Sequence, residues 1–227
     1  MARKKQSRGN CNFCGKNMSK AGISKHLPSC EERLEVVNTA NSKSGQDGII
    51  YHLQIQEAWQ GDFWLHLEMN GKATMEKLDS YLRSIWLECC GHLSEFSIGR
   101  WTGQTIAMSR KAGQVFRIGM EIDHIYDFGT SSETKIKVIN VRKGKSITKY
   151  PIALMARNDR PEASCVDCGK PASWLCLECL YDYDQDGTFC DEHAKDHPHD
   201  NYGDPMGLFN SPRVGMCGYD GPAEPPY

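Results

Sequence analysis

The stretch that decides the architecture of this chain runs from Cys165 to His199 and reads CVDCGKPASWLCLECLYDYDQDGTFCDEHAKDHPH. It contains two Cys-x-x-Cys pairs, one Cys-x-x-His pair and one His-x-His pair. Cysteine and histidine are the side chains that Zn²⁺ prefers, and four of them close a tetrahedral structural site. A Cys-x-x-Cys turn lets two thiolates reach the same metal ion. Eight such side chains therefore predict two zinc sites.

The eight ligands can be paired in chain order or interleaved, and we favour interleaving. The first interleaved set is Cys165, Cys168, Cys190 and His193, and the second is Cys176, Cys179, His197 and His199. Sequential pairing would place four cysteines on one zinc with a gap shorter than the roughly 15–20 residues usual in a zinc ribbon. The alternative to metal binding is a set of buried or disulfide-bonded cysteines, which three closely spaced pairs disfavour.

The ligand spacing resembles that of the B-box and related cross-brace fingers. That resemblance implies a protein-interaction module. Each set already contains four protein ligands, so no open coordination position is expected, and structural zinc is predicted rather than catalytic zinc.

A third four-ligand set lies near the start of the chain, at Cys11, Cys14, His26 and Cys30. Met18 and Ile23 supply the apolar side chains that a small finger needs, and Ser19 can cap a short helix. The pattern resembles a two-Cys, two-His finger with cysteine as its last ligand. The sequence therefore predicts three structural zinc ions in total.

The two ends of the chain carry opposite charge, although the formal net charge is only −2. Residues 161–204 contain eleven acidic side chains and two lysines. Residues 1–30 contain no acidic side chain and seven basic ones, which are candidates for phosphate contact: Arg3, Lys4, Lys5, Arg8, Lys16, Lys20 and Lys25. One alternative to phosphate contact is that the finger caps the domain or binds protein. Another is that the charges at the two ends only form solvated surfaces without a partner.

The middle of the chain has the pattern of an α+β domain. Ile49–Ile55 and Phe63–Met69 alternate apolar and polar residues, which predicts a β-hairpin. Residues 75–88 have helical spacing after a potential Thr74 cap. Further strands are expected at 92–98, 121–127, 134–141 and 147–154, and residues 99–118 are expected to be irregular. The predicted fold is an antiparallel sheet of about five strands with one main helix, flanked by the zinc modules.

Several segments of this domain carry a family resemblance: YHLQI at 51–55, FWLHLE at 63–68, LDSYLR at 78–83, GHLSEF at 91–96 and IYDFGT at 125–130. Residues 48–156 resemble the Ri-plasmid ORF-three-like domain, which is sometimes carried in transposable elements. The resemblance implies an α+β fold and no established activity. His66 and Tyr81-Leu82 depart from the common pattern, so any site built on those positions in other members is in doubt here.

The predicted organisation has five parts. They are a basic arm and finger at 1–30, a linker at 31–47 with helical character expected as far as Val37, the α+β domain at 48–156, the paired-zinc module at 161–200 and a Pro/Gly-rich tail at 201–227. The tail lacks the residues of a core. It is expected either to lie across the domain, anchored by Phe209 and Met216, or to be disordered.

Three weaker features carry no predicted chemistry. Asp127-Phe-Gly129 resembles the kinase metal motif, but a Gly-rich phosphate loop and a His-Arg-Asp loop are missing, so it is interpreted as a strand end with Gly129 in a special conformation. His92, Glu95, His124 and Asp127 could converge, yet no spacing joins them. Cys89-Cys90 is interpreted as a pair of buried small side chains. Cys217 has no Cys or His within metal-ligand spacing, and it could act as a zinc ligand only by replacing His199 if the tail folds back.

Composition bounds the remaining possibilities. The chain has 227 residues, 25% of them charged, and no apolar run of the roughly 20 residues that a membrane span needs. Its 11 cysteines are expected to be metal ligands in a reducing cytoplasm. No small-molecule cofactor is indicated. The first functional hypothesis is a non-enzymatic zinc adaptor with a protein partner, the second a nucleic-acid-binding protein linked to mobile elements or defence, and the third an enzyme.

Overall fold

The computed structural model describes residues 6–225, except for the side chain of Trp101. Its main body is a nine-stranded sheet in which every neighbouring pair is antiparallel. The strands are β1 (Arg8–Cys11), β2 (Asn17–Ser19), β3 (Gly48–Glu57), β4 (Trp64–Asn70), β5 (Ser94–Ile98), β6 (Gln104–Ile106), β7 (Glu121–Tyr126), β8 (Ser132–Gly144) and β9 (Ile152–Asn158). Their order across the sheet is β2-β1-β9-β4-β3-β8-β7-β5-β6.

The predicted α+β class is confirmed, but the expected number of about five strands was too low. The strands that the sequence did not reveal, β1, β2 and β6, are only three or four residues long. An alternating pattern needs more residues than that to stand out. β9 also begins later than expected, at Ile152, so residues 147–151 belong to the preceding connection.

The main helix, α3 (Met75–Leu82), continues into a π-helical turn, Arg83–Leu87, and covers the sheet. Thr74 occupies the N-cap position, and the apolar side chains that gave the helical spacing are fully buried: Met75, Leu78, Leu82 and Ile85. They form one core with side chains of β3, β4, β7 and β8. A further short helix, α4 (Ala112–Val115), lies in the segment that was expected to be irregular.

The N-terminal finger extends the edge of the sheet, because β1 pairs with both β2 and β9. Its helix α1 (Lys20–His26) begins at Ser19, whose Oγ accepts a hydrogen bond from the Gly22 amide at 3.3 Å. Ile23 and Leu27 pack with Trp64 and Met155 of the sheet in a second apolar cluster. The finger and the sheet therefore share packing as well as backbone hydrogen bonds.

Residues 31–47, expected to be a linker with helix only as far as Val37, contain a full helix, α2 (Glu31–Ser42). Arg33, Val37 and Ala40 are its buried side chains. The Arg33 guanidinium donates to the Leu27 carbonyl and to Glu68 Oε2, both at 3.4 Å. This polar anchor explains why a helix with little apolar surface still packs on the domain.

The C-terminal module contains a small three-stranded sheet, in the order β11-β10-β12. Its elements are β10 (Trp174–Leu175), α5 (Leu177–Tyr181), β11 (Thr188–Phe189), α6 (Asp191–Lys195) and β12 (Met206–Gly207). β12 belongs to the segment predicted as tail, so the tail completes the module. Among residues 6–225, no helix is long and apolar enough to cross a membrane.

Of the two alternatives for the tail, the structure contains the ordered one. Ser211, Arg213 and Tyr219 are buried, and the Ser211 hydroxyl donates to the Trp86 carbonyl at 2.6 Å. The expected anchors make contacts: Phe209 packs edge-on against Tyr219, and Met216 Sδ accepts from Ser132 Oγ at 3.8 Å. The tail thus lies across the end of the main helix and the sheet.

The Asp127-Phe-Gly129 segment ends β7, as expected, but the special backbone conformation is at Asp127 and not at Gly129. Asp127 has φ = 66°, whereas Gly129 has no positive φ. The expectation for Gly129 was therefore wrong. Aspartate tolerates this left-handed region because its short side chain bonds locally, and Asp127 Oδ1 accepts from the Gly129 amide at 2.9 Å.

Candidate metal centres

The N-terminal cluster brings together the ligand atoms of Cys11, Cys14, His26 and Cys30, which all lie within 4.8 Å of one another. Cys11 ends β1, His26 ends α1, and Cys30 is the N-cap of α2. Cys14 Sγ lies 3.2 Å from His26 Nε2, and Cys11 Sγ lies 4.0 Å from Cys30 Sγ. A tetrahedral zinc with Zn–S bonds of about 2.3 Å has S···S edges of about 3.8 Å, so the spacing suits that ion.

The C-terminal module groups its ligands in the interleaved way. The first group, Cys165, Cys168, Cys190 and His193, has its ligand atoms within 4.8 Å of one another. Cys168 Sγ lies 3.8 Å from Cys190 Sγ, and His193 Nδ1 lies 3.3 Å from Cys165 Sγ. Burial raises the pKa of Cys165, but hydrogen bonds from backbone amides, first that of Cys190, outweigh burial and bring this pKa to about 6. Those amides favour the thiolate that a metal ion needs.

The second group of the module consists of Cys176, Cys179, His197 and His199. Cys179 Sγ lies 3.3 Å from His197 Nε2 and 3.2 Å from His199 Nδ1. Burial, and then the neighbouring His199, lower the pKa of His197, which favours the neutral imidazole that ligates metal. Since α6 follows Cys190 and leads to both histidines, neither group is independent of the other.

The structure also contains a fourth metal-compatible cluster, at Cys89, Cys90, His92 and Cys217, in addition to the three that the sequence predicted. His92 Nε2 lies 3.0 Å from Cys90 Sγ and 3.1 Å from Cys217 Sγ. Cys90 Sγ lies 3.7 Å from both Cys89 Sγ and Cys217 Sγ. Cys90 is exposed, so the interpretation of Cys89-Cys90 as buried packing was wrong for Cys90.

A partial signal for the fourth cluster was present in the sequence. Cys89, Cys90 and His92 lie within four positions and offer three ligands of the same kind as the other sets. The fourth ligand is 125 residues away, and only the folded tail brings Cys217 to His92. No spacing rule joins residues at that separation.

The structure does not bring together the other weak constellation that the sequence suggested, which consists of His92, Glu95, His124 and Asp127. His124 is fully buried and its Nε2 lies 2.8 Å from Asp79 Oδ1. His92 Nε2 lies 3.4 Å from Asp127 Oδ2. These four side chains do not form one of the metal-compatible groups found among residues 6–225.

The basic residues proposed for phosphate contact have different environments. Arg8 donates through Nε to Asn17 Oδ1 at 2.7 Å, and Lys20 Nζ bonds Gln56 Oε1. Burial lowers the pKa of Lys20, and Asp62 and Glu57 oppose that shift. Lys16 and Lys25 have exposed side chains. Arg3, Lys4 and Lys5 lie outside the described residues.

A buried histidine pair lies between the finger and the sheet. His52 Nε2 and His66 Nδ1 are 2.8 Å apart, and both rings are almost completely buried. Burial, and then the charge of Arg33, lower the pKa of His52 to about 4. Burial, and then His52 and Lys20, lower the pKa of His66 to about 3. The pair is therefore neutral at pH 7.

This pair predicts a loss of stability in mild acid. Because the pKa of each folded histidine lies below the unfolded value of about 6.5, the unfolded state binds more protons between the two values, and stability falls as the pH drops. From pH 7 to 5.5 we expect the free energy of unfolding to decrease by about 1 kcal/mol for each histidine. Urea titrations of the wild type and of His52→Gln/His66→Gln, both zinc-loaded, measure the difference. Equal pH slopes in the two proteins would contradict this account.

No family model matches the chain, and no curated protein matches it. Among solved structures, the crystal structure of a protein of unknown function, MM3350 from Methanosarcina mazei Go1, is similar with a TM-score of 0.42 and 19% identity. The match covers 56% of this chain and 78% of that one.

Proposed function

We propose that the chain is a non-enzymatic adaptor in which zinc is structural and the C-terminal module binds a basic segment of a partner protein. The observation that carries this proposal is that the module has several exposed aromatic rings together with many acidic side chains. The resemblance of residues 48–156 to the Ri-plasmid ORF-three-like domain belongs to the same proposal, with that domain as the scaffold.

The exposed aromatic residues of the module are Trp174, Tyr181, Tyr183 and Tyr202, with 37%, 52%, 52% and 49% of their surface accessible. Trp174 Nε1 donates to Asp191 Oδ1 at 2.8 Å, and the Tyr202 hydroxyl donates to Asp182 Oδ1 at 3.0 Å. These bonds fix the orientation of two rings before any partner arrives. Tryptophan and tyrosine are enriched in protein interfaces and among the residues that dominate binding energy.

The charge of the module indicates what kind of partner suits it. Eleven acidic side chains stand against two lysines over residues 161–204, and Lys170 is already paired with Glu192 at 3.2 Å. A concentrated negative surface accelerates association with basic partners and disfavours acidic ones. Nucleic acid is therefore a poor partner for this end of the chain.

The closed donor sets support a structural role for zinc. Each metal-compatible group among residues 6–225 has four Cys or His donors, which complete a tetrahedral ion. A catalytic zinc keeps one position for water or substrate. Because the donor sets are closed, we assign the function to the protein-binding residues of the module and not to the metal ions.

Selection of random linear peptides on the zinc-loaded full chain tests the proposal. We expect selected peptides to be enriched in Arg and Lys. Asp184→Asn/Asp186→Asn removes two exposed charges from the module, and we expect it to raise the Kd about fivefold, since exposed ion pairs contribute up to about 1 kcal/mol. The matched control Glu31→Gln/Glu35→Gln removes two exposed charges from α2 and should leave the Kd unchanged. Absence of basic enrichment, or equal effects of the two double variants, would contradict the proposal.

The nucleic-acid alternative is supported less well by the finger. Lys20 bonds Gln56 and is half-buried, and Arg8 is exposed but bonds Asn17, so Lys16 and Lys25 are the exposed cations of the described finger without such a bond. Truncating the finger is a poor test, because β1 pairs with β9 and the finger packs on Trp64. Lys16→Gln/Lys25→Gln in the full chain, compared over a salt series, is the appropriate test.

A further inference from the structure

The fourth cluster accounts for the only cysteines that the other three clusters leave unused. All 11 cysteines of the chain are free thiols, and each belongs to one of the four groups. We propose that Cys89, Cys90, His92 and Cys217 bind a fourth Zn²⁺, which fastens the C-terminal tail to the sheet domain and is the most readily exchanged of the four ions. The adaptor function does not require this site, so the two proposals stand separately.

The donor set and its spacing identify the ion. Three thiols and one imidazole also make up the N-terminal group and the first group of the C-terminal module. The Cys90–Cys217 and Cys90–Cys89 sulfur distances, both 3.7 Å, are close to the roughly 3.8 Å edge of a zinc–sulfur tetrahedron. Soft thiolates with imidazole select Zn²⁺ over the hard cations Mg²⁺ and Ca²⁺.

The surroundings of the cluster suit a bound ion with negative charge. Three thiolates and Zn²⁺ together carry a charge of −1, and the fully buried Arg213 places its Nη2 3.5 Å from Cys89 Sγ. The Tyr126 hydroxyl lies 3.6 Å from the same sulfur. Asp127, the acidic group that lies against His92, is paired with Arg213 at 2.6 Å. Partners of this kind orient ligands and tune the metal they bind.

The tail bends sharply where it supplies its ligand. Cys217 has φ = 46°, a left-handed conformation that is uncommon for a residue other than glycine. Such strain persists where the surrounding structure holds the residue in place. Zinc coordination supplies that restraint, since it ties Cys217 to residues that precede it by more than 120 positions.

The exposure of the ligands predicts the order in which zinc is lost. Cys90 and Cys217 are exposed and Cys89 is half-buried, whereas each of the other three groups contains two buried cysteines. A chelator therefore reaches the fourth ion first. Its loss should free the tail, and trypsin should then cleave after Arg213, which is inaccessible in the folded chain.

Native mass spectrometry of the full chain tests the proposal. We expect four zinc ions in the wild type, three in Cys217→Ser and three in His92→Ala. Asp220→Asn, an exposed change in the same tail, should keep four. Cleavage after Arg213 should be at least tenfold faster in Cys217→Ser than in Asp220→Asn, with cleavage after exposed Lys195 as the internal reference.

Three zinc ions in the wild type, or the same number in the wild type and Cys217→Ser, would overturn the proposal. A disulfide between Cys90 and Cys217, found in protein purified under reducing conditions, would also overturn it. If a variant loses all its zinc by unfolding, alkylation of the wild type decides. Cys90 and Cys217 should react with iodoacetamide at least tenfold more slowly with zinc than after brief chelation, and equal rates would reject the site.

Discussion

Replacing Cys190 with serine is expected to unfold the C-terminal module while the nine-stranded sheet stays folded. The apolar cluster of this module consists of Cys165, Cys176, Cys179, Cys190 and Phe189, with Ala194 packed against it. A core built almost entirely from metal ligands cannot hold the chain without metal. Structural zinc contributes about 10–16 kcal/mol of apparent binding free energy in small fingers, and that contribution is folding free energy.

Hydrogen exchange followed by mass spectrometry measures this effect region by region. In Cys190→Ser, amides between 164 and 207 should exchange at the rate of an unfolded chain, while those of β3 and β4 stay protected. Val166→Ala, an exposed change beside Cys165, is the control and should leave exchange unaltered. If the variant keeps protection at β10 and β11, the interleaved zinc sites do not hold the module together.

Replacing Arg213 with methionine is expected to lower the free energy of unfolding by about 3–5 kcal/mol, because it leaves a buried charge without its partner. The Arg213 side chain is fully buried, and it donates to Asp127 Oδ2 at 2.6 Å, to Ser132 Oγ at 3.1 Å and to the Thr130 carbonyl. Burial raises the pKa of Asp127, but the Arg213 bond and the turn amides outweigh burial and lower it. The Asp127 carboxylate is therefore charged in the folded chain, and removing the guanidinium takes away its main partner.

The matched control is Lys170→Met, which breaks an exposed ion pair with Glu192 and should cost at most about 1 kcal/mol. Urea denaturation of both zinc-loaded variants gives the comparison. The double variant Arg213→Met/Asp127→Asn should lose less than the sum of its single changes, since it removes both buried charges. Equal costs for Arg213→Met and Lys170→Met would show that the tail anchor contributes little.

The features that the sequence predicted are those that depend on near neighbours. The Cys-x-x-Cys spacing placed ligands that meet in one turn, and the gap lengths favoured the interleaved grouping that the module adopts. Apolar alternation located β3 and β4, and helical spacing located α3, because each is long enough to show its period. Ser19 was recognisable as a cap from its residue type and position alone.

The features that the sequence did not reveal depend on distant residues. Cys217 reaches His92 only after the tail has crossed the sheet, and His52 meets His66 only because β3 and β4 pair in their particular register. Arg33 turned a polar segment into a packed helix through Glu68, a partner 35 positions away. Asp127 takes the positive φ expected at Gly129 while its side chain is held by Arg213 of the tail.

The most direct test of this account is X-ray absorption at the zinc edge of the purified full chain. The account predicts four-coordinate zinc with sulfur at about 2.3 Å and nitrogen at about 2.0–2.1 Å, and no oxygen neighbour. Taken together, the four donor sets contain 11 sulfurs and five nitrogens, so sulfur should dominate the coordination of the zinc. A shell rich in oxygen or nitrogen, or protein that retains no zinc, would contradict the claim that closed zinc sites hold this molecule together.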